Sequence, residues 1–232
     1  MTKTALIVGA GSGISAAFAR ALARAGYKVA LASRRPEKLA GLAAETGGSA
    51  YACDATRLDA VAAVFTELDR AFGALDVVLY NASFRTRGAF VTLDPADVAQ
   101  ALNVSAYGGF LVAQEAAKRM VKAGSGAIFF TGASASVKGY AQSAPFAMGK
   151  FALRGLAQAM ARELAPQGIH IAHFVIDGAV RSPERERAAG TDAPADNMLD
   201  PDAIAATYLH VLQQPRSVWT WEVELRPWVE RF

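Results

Sequence analysis

The chain has 232 residues, 53% of them hydrophobic and 19% charged, a balance that excludes intrinsic disorder and supplies a large core. The length suits one α/β domain better than two domains of about 150 residues each. Lys and Arg number 24 against 21 Asp and Glu, and a net charge of +3 is too small and too scattered for a nucleic-acid protein, though compatible with a small anionic ligand.

The first element is Thr4 to Val8, a short apolar run ended by Gly9, which reads as a buried strand. Ile14, Ala17, Phe18, Ala21, Leu22 and Ala25 then recur at helical spacing until Gly26. Lys28 to Ser33 is a second strand, Pro36 to Thr46 a helix, Ser49 to Cys53 a third strand, and Arg57 to Phe72 a helix with Leu58, Val61, Phe65 and Leu68 on one stripe. Leu75 to Tyr80 is a fourth strand, Pro95 to Lys122 a long helix, Ala127 to Thr131 a fifth strand, and Pro145 to Ala165 a helix stopped near Pro166 and Gly168. Ile169 to Ile176, a helix over Pro201 to Gln213 and a last strand over Val218 to Leu225 complete the series. Strand–helix alternation throughout predicts a parallel sheet covered by helices on both faces. The irregular stretch Arg181 to Asp200 reads either as a lid over a substrate or as a surface loop.

One cysteine, Cys53, excludes an internal disulfide framework and fits a reducing compartment. No apolar run approaches the ~18 residues of a membrane span. The apolar stretch Ala5 to Val8 is too short for a signal peptide, so the expectation is a cytoplasmic protein with neither a membrane nor a nucleic-acid partner. His170 and His173 lie three apart in a predicted strand and face opposite sides, and no Cys/His cluster has metal spacing.

Between the first strand and the first helix stands Gly9-Ala10-Gly11-Ser12-Gly13-Ile14-Ser15, where backbone N–H groups and a helix N-terminus can hold a pyrophosphate. This loop, together with Cys53-Asp54-Ala55 after the third strand, Tyr80-Asn81-Ala82-Ser83 after the fourth, Asn103-Val104 in the long helix and Lys150 in the next, resembles the short-chain dehydrogenase/reductase family over essentially the whole chain. The resemblance implies a single Rossmann-type domain with a seven-stranded parallel sheet. It also implies a nicotinamide cofactor held by Gly9, Gly11, Ser12, Gly13, Ile14 and Asn81, with Asp54 at the adenine amino group beside Ala55. An Asp at that position also suits a cap ahead of Arg57. The second strand ends Ser33-Arg34-Arg35 and lacks the acid that would bond the free 2′-hydroxyl of NAD. A guanidinium suits a 2′-phosphate, so NADP(H) is expected over NAD(H), with Ser33 and Arg34 at the phosphate.

Catalysis in the resembled family uses an asparagine, a serine, a tyrosine and a lysine four residues after the tyrosine, so that the ammonium lies beside the phenol on one helix face. Asn103 and Lys150 match, but Phe146 stands at the tyrosine position and drops the hydroxyl. Either Ser134 or Ser136 fills the serine position, with Ser134 preferred. After the sixth strand, Gly178 keeps the family's glycine, Ser182 takes the place of its threonine, and Asp177 replaces its proline, as a cap, a solvated carboxylate or an acid near the reaction centre. Arg85 and Arg87 follow the Asn81 turn and are either solvated or border a pocket for an acidic substrate. Two functions follow: an NADP(H)-dependent oxidoreductase on a carbonyl or alcohol with altered acid catalysis, or an NADP(H)-binding sensor or partner subunit with little turnover. Family members commonly pair their two long helices with symmetry mates. Apolar Ala101, Tyr107, Phe110, Val112, Ala116, Phe151, Leu156, Ala159 and Met160 predict a homotetramer or homodimer here.

Overall fold

In the computed structural model, which describes residues 2–189 and 196–230, the apolar runs pair side by side into one sheet. Its strands are β1 (Thr4–Val8), β2 (Lys28–Ser33), β3 (Ser49–Ala52), β4 (Val77–Tyr80), β5 (Gly126–Thr131), β6 (Ile169–Ile176) and β7 (Glu222–Leu225), in the order β3-β2-β1-β4-β5-β6-β7 with every pair parallel. Alternate residues of each strand feed two cores, as the period of two requires. Leu6, Val8, Val78 and Phe130 face α3 (Leu58–Phe72), α5 (Gly108–Ala123) and α6 (Ala144–Leu164). Ala5, Ile7, Leu79 and Phe129 face α1 (Ile14–Arg24) and α8 (Pro201–Leu212), with α2 (Ala40–Thr46) beyond them. The sheet is parallel and covered on both faces, as the alternation predicts, and it has the seven strands of the Rossmann-type domain that the family resemblance implies.

β1 is followed by β2 on one side and bordered by β4 on the other, so the chain changes direction across the sheet between β1 and β4. Loops that leave β1 and β4 there diverge and open a crevice, the usual ligand position in open parallel sheets.

Beyond shifts of one or two residues at element ends, four stretches depart from or add to the sequence pattern. The helix expected over Pro36 to Thr46 begins as a 3₁₀ turn, Pro36–Leu39, because proline favours the first turn. The long helix is split into α4 (Pro95–Leu102) and α5 by a π-helical turn, Asn103–Tyr107, where the Tyr80 hydroxyl donates to the Val104 carbonyl and draws it out of the regular ladder. Val218 lies in a 3₁₀ turn and β7 begins only at Glu222, since Gln214 holds the intervening Trp219 and Thr220 through their N–H groups. The stretch 181–200, read as a lid or a surface loop, contains a short helix, α7 (Pro183–Ala189), and Val180 bridges Leu199; residues 190–195 lie outside the described residues.

No helix among the described residues is long and apolar enough to cross a membrane, and no group of three or more His, Cys, Asp or Glu among them is placed to hold a metal ion. His170 stacks on Trp219 while His173 turns to the Glu222 carboxylate, 2.9 Å away, on separate faces of β6 as their spacing requires. Cys53 is buried, and burial raises its thiol to about 11, which keeps it a packing residue.

Candidate active site

Three adjoining cavities of 950, 590 and 390 Å³ open at the C-terminal ends of the strands. The largest runs from Gly9, Gly11 and Ser12 over Ser33 and Arg34 to Asp54 and Ala55, with Asn81 at its inner end. The smallest lies on Gly11, Gly13 and Ile14 and reaches Ser182. The third is lined by Ser134, Phe146, Lys150 and Gly178 and shares Ile14 and Asn81 with its neighbours.

The glycines of the first loop differ in what they permit. Gly9 has φ +79, and a Cβ there would stand 2.3 Å from the Ala82 backbone nitrogen, so only glycine fits. Gly11 and Gly13 have no atom within 4 Å of the position of a Cβ, so their bare faces border open space. Ser15 is buried and its hydroxyl donates to the Gly9 carbonyl at 3.2 Å. The Asn81 amide donates to the Ser15 hydroxyl at 2.8 Å, so Asn81 braces the loop from β4.

Beyond β2, Arg34 and Arg35 line the large cavity together with Lys38, which the sequence reading did not single out. Lys38 lies in the 3₁₀ turn that follows Arg35, and this turn carries it to the cavity wall. None of the three forms an ion pair among the described residues. Ser33 accepts from the Arg35 backbone N–H at 3.2 Å, so its hydroxyl also orders this turn. Asp54 accepts from the Thr56 hydroxyl at 2.7 Å and from its N–H at 3.0 Å. Those bonds, with help from the Arg34 and Arg57 charges, hold its carboxyl below the usual range. Asp54 therefore caps the turn before α3 and still lines the cavity. The groups present suit an anionic dinucleotide: open backbone over two glycines, and three cations beyond the second strand.

In the 590 Å³ cavity, Lys150 is 3% exposed and donates to the Thr131 carbonyl at 2.8 Å. Burial lowers its ammonium to about 8. The Phe146 ring is within cation–π reach of two cations, with Arg85 Cζ 5.2 Å and Lys150 Nζ 5.8 Å from its centroid. The two candidate serines separate clearly. Ser134 lines the cavity, whereas Ser136 is fully buried and its Oγ accepts from the Ala133 N–H at 3.1 Å, pinning the turn.

Asn103 is not brought to this group. It is exposed, lines none of the three cavities, and its carbonyl accepts the Gly108 N–H in the π turn. Asp177 is buried against Lys138 at 3.2 Å and Arg226 at 2.5 Å, so its carboxylate is committed to an ion-pair cluster. Gly178, at φ +151, makes room first for Pro227, whose Cδ would be 2.8 Å from a Cβ; the approach to the cavity is secondary. Ser182 accepts from the Arg185 N–H at 3.3 Å, beginning α7, while bordering the glycine-loop cavity.

The short chain dehydrogenase family model matches residues 3–190. A short-chain dehydrogenase from Rhodopseudomonas palustris superposes with a TM-score of 0.83 at 36% identity, covering 97% of this chain and 99% of that one. A metagenomic short-chain oxidoreductase in complex with NADP superposes with a TM-score of 0.83 at 29% identity over 97% of each chain. The 3-oxoacyl-[acyl-carrier-protein] reductase MabA of Mycobacterium avium is 30% identical over 169 residues, which span 73% of this chain and 64% of the relative. By the extent of these matches, the chain belongs to the short-chain dehydrogenase family.

Proposed function

We propose that the chain is an NADP(H)-dependent oxidoreductase acting on a carbonyl or alcohol substrate, with proton transfer altered by the loss of the tyrosine. The observation that carries this reading is the buried Lys150 beside Phe146, in a cavity continuous with one lined by Arg34, Arg35 and Lys38. When bound, the nicotinamide supplies or accepts the hydride. The protein's own residues do the rest. Gly11, Ser12 and Gly13 offer backbone N–H groups to the pyrophosphate. Arg34, aided by Ser33, receives the 2′-phosphate. Ser134, whose hydroxyl bonds no other described residue, faces the carbonyl oxygen. Lys150 holds a proton in the same cavity near neutral pH and passes it through a water to that oxygen. Phe146 fills the tyrosine's space and keeps bulk water from the reacting carbon.

The bare Phe146 ring favours a second reading, an NADP(H)-binding sensor or partner subunit with little turnover. NADPH binding followed by fluorescence, beside NADPH oxidation with a panel of aldehydes, ketones and quinones, separates the two. Oxidation with any carbonyl supports the enzyme, and tight binding without oxidation supports the sensor.

Cofactor choice has its own test. Arg34→Ala is expected to weaken NADPH about tenfold while NADH changes by less than about twofold, the loss of one charge-assisted contact. Equal affinity of the parent for both cofactors, or an unchanged ratio in the variant, would reject the assignment.

Assembly is the third element of the proposal. Of the apolar residues on the long helices, Ala101, Val112 and Ala116 are buried in the core, but Tyr107, Phe110 and Phe151 are 48%, 40% and 45% exposed. Tyr107 and Phe110 stack with ring centroids 6.3 Å apart. Pairing through this face, as a homodimer or homotetramer, removes three aromatic rings from water. Light scattering at micromolar concentration is expected to give two or four times the chain mass, and a monomer mass would rule this out.

A further inference from the structure

The 590 Å³ cavity carries an excess of positive charge that the reaction itself does not require. Besides Lys150 it is lined by Arg85, Arg87 and Arg185. Two carboxylates also line it. Asp177 is spent on Lys138 and Arg226, and Glu230 pairs with none of the arginines. Arg85 and Arg87 form no hydrogen bond or ion pair with any described residue.

The loop that bears these two arginines is held in place by its other residues. Between them, the Thr86 hydroxyl donates to Asp97 at 3.2 Å, and the Gly88 N–H donates to the Gln142 carbonyl at 3.2 Å. Residues two apart in extended chain share a side. With Thr86 turned to Asp97, its neighbours Arg85 and Arg87 both border the cavity. Arg85 lies over the ring of Phe146, the residue that the sequence places at the expected tyrosine position. Desolvation there, and then the like charges of Arg87 and Arg185, lower its pKa. Three guanidiniums that pair with no acid repel one another, and an anion between them relieves that repulsion.

We propose that Arg85 and Arg87 form an oxyanion site in the substrate half of the cavity, selecting carbonyl or alcohol substrates that carry a carboxylate or phosphate group. The proposal names the substrate class of the oxidoreductase reading above and rests on it. Arg185 stands at the boundary with the glycine-loop cavity and donates to the Val180 carbonyl at 2.6 Å, so it also suits the cofactor's pyrophosphate. Arg85 and Arg87 line only the substrate cavity, which makes them the discriminating pair.

The test is calorimetric titration of the full chain, with and without NADPH, by benzoylformate, its neutral methyl ester and phenyl phosphate. Benzoylformate or phenyl phosphate is expected to bind at least about tenfold more tightly than the ester, as paired guanidinium contacts warrant. The double variant Arg85→Ala, Arg87→Ala is expected to reduce that preference to less than about threefold while the NADPH affinity stays within about twofold. Tighter binding of benzoylformate assigns the site to carboxylates, and tighter binding of phenyl phosphate assigns it to phosphate esters. Acid and ester binding alike, no probe binding, or a preference that survives the double variant would overturn the proposal. Each of those results leaves the oxidoreductase reading standing if NADPH still binds. Failure of NADPH to bind would overturn that reading alone, since the acid-over-ester preference is measured without cofactor too.

Discussion

Phe146→Tyr is expected to raise NADPH-dependent carbonyl reduction by about tenfold or more, the low end of what a positioned general acid contributes. The substitution adds one oxygen to a ring that already lines the substrate cavity, so the new side chain keeps the rotamer and packing of the old. Two cations flank that ring. Lys150 Nζ lies 5.8 Å from its centroid, one helical turn along α6, and Arg85 Cζ lies 5.2 Å away. Both favour the phenolate over the phenol and so lower the pKa of the introduced hydroxyl towards neutrality. Ser134 is already on the cavity wall to share the carbonyl oxygen. Steady-state rates with the aldehyde and ketone panel, beside NADPH affinity by fluorescence, measure the gain. A variant no faster than the parent, with NADPH affinity unchanged, would mean that the site has been reshaped by more than one hydroxyl. A parent that turns over at ordinary enzyme rates and slows on Phe146→Tyr would mean that it uses a different acid.

The sheet was legible because each strand is a short apolar run closed by a glycine, a polar turn or the first residues of an amphipathic helix. Every strand centre fell where the pattern put it, from Thr4–Val8 to Ile169–Ile176. The misread boundaries are those where a tertiary contact overrides local preference. The π turn depends on Tyr80, more than twenty residues away, reaching the Val104 carbonyl. No periodicity within the helix encodes that contact, yet it decides where Asn103 goes. The late start of β7 depends on Gln214 claiming the N–H groups of Trp219 and Thr220.

The site was legible where the residue type has one use. The glycine loop follows β1 and borders the largest cavity, and Lys150 of α6 lines the 590 Å³ cavity. Choosing between Ser134 and Ser136 required coordinates, because two serines of one turn differ only in which is drawn inward to cap it. Asp177 could not be read from sequence either. Its ion-pair partner Arg226 follows β7, 49 residues on, and only the β6–β7 pairing brings the two together. Lys38 carries no signal in the sequence, because a lysine at the start of a helix equally suits a solvated face, and only the 3₁₀ turn Pro36–Leu39 brings it to the cavity.

Lys150 is expected to set the pH dependence of the reaction, with the rate of carbonyl reduction falling as pH rises through about 8. The sign follows from the cause of the shift. Burial disfavours the charged ammonium and so lowers the pKa from 10.5 to about 8. Below that pH the side chain holds the proton that reduction consumes, and above it the neutral amine has none to give. Alcohol oxidation, which needs a proton acceptor, is expected to rise over the same interval. Lys150→Met keeps an unbranched apolar stem within the core but removes the titrating group. It is expected to lower the reduction rate about 10²-fold and to flatten the profile between about pH 6 and 10. Lys150→Arg keeps a positive charge that does not titrate in that range, so it should also flatten the profile. Rates measured at saturating NADPH, with cofactor affinity determined at each pH, separate loss of proton transfer from loss of binding. A parent profile with no inflection near pH 8, together with an unimpaired Lys150→Met variant, would remove Lys150 from the chemistry. An inflection that persisted in Lys150→Met would belong to another group. Because Thr131, which accepts the Lys150 proton donor at 2.8 Å, is itself held through its hydroxyl by Tyr208 at 3.1 Å, the ammonium is fixed from the sheet side. Its remaining N–H bonds are therefore the ones free to meet a substrate or a water in the cavity, and the loss of one proton from the ammonium above the pKa is what the pH profile reads.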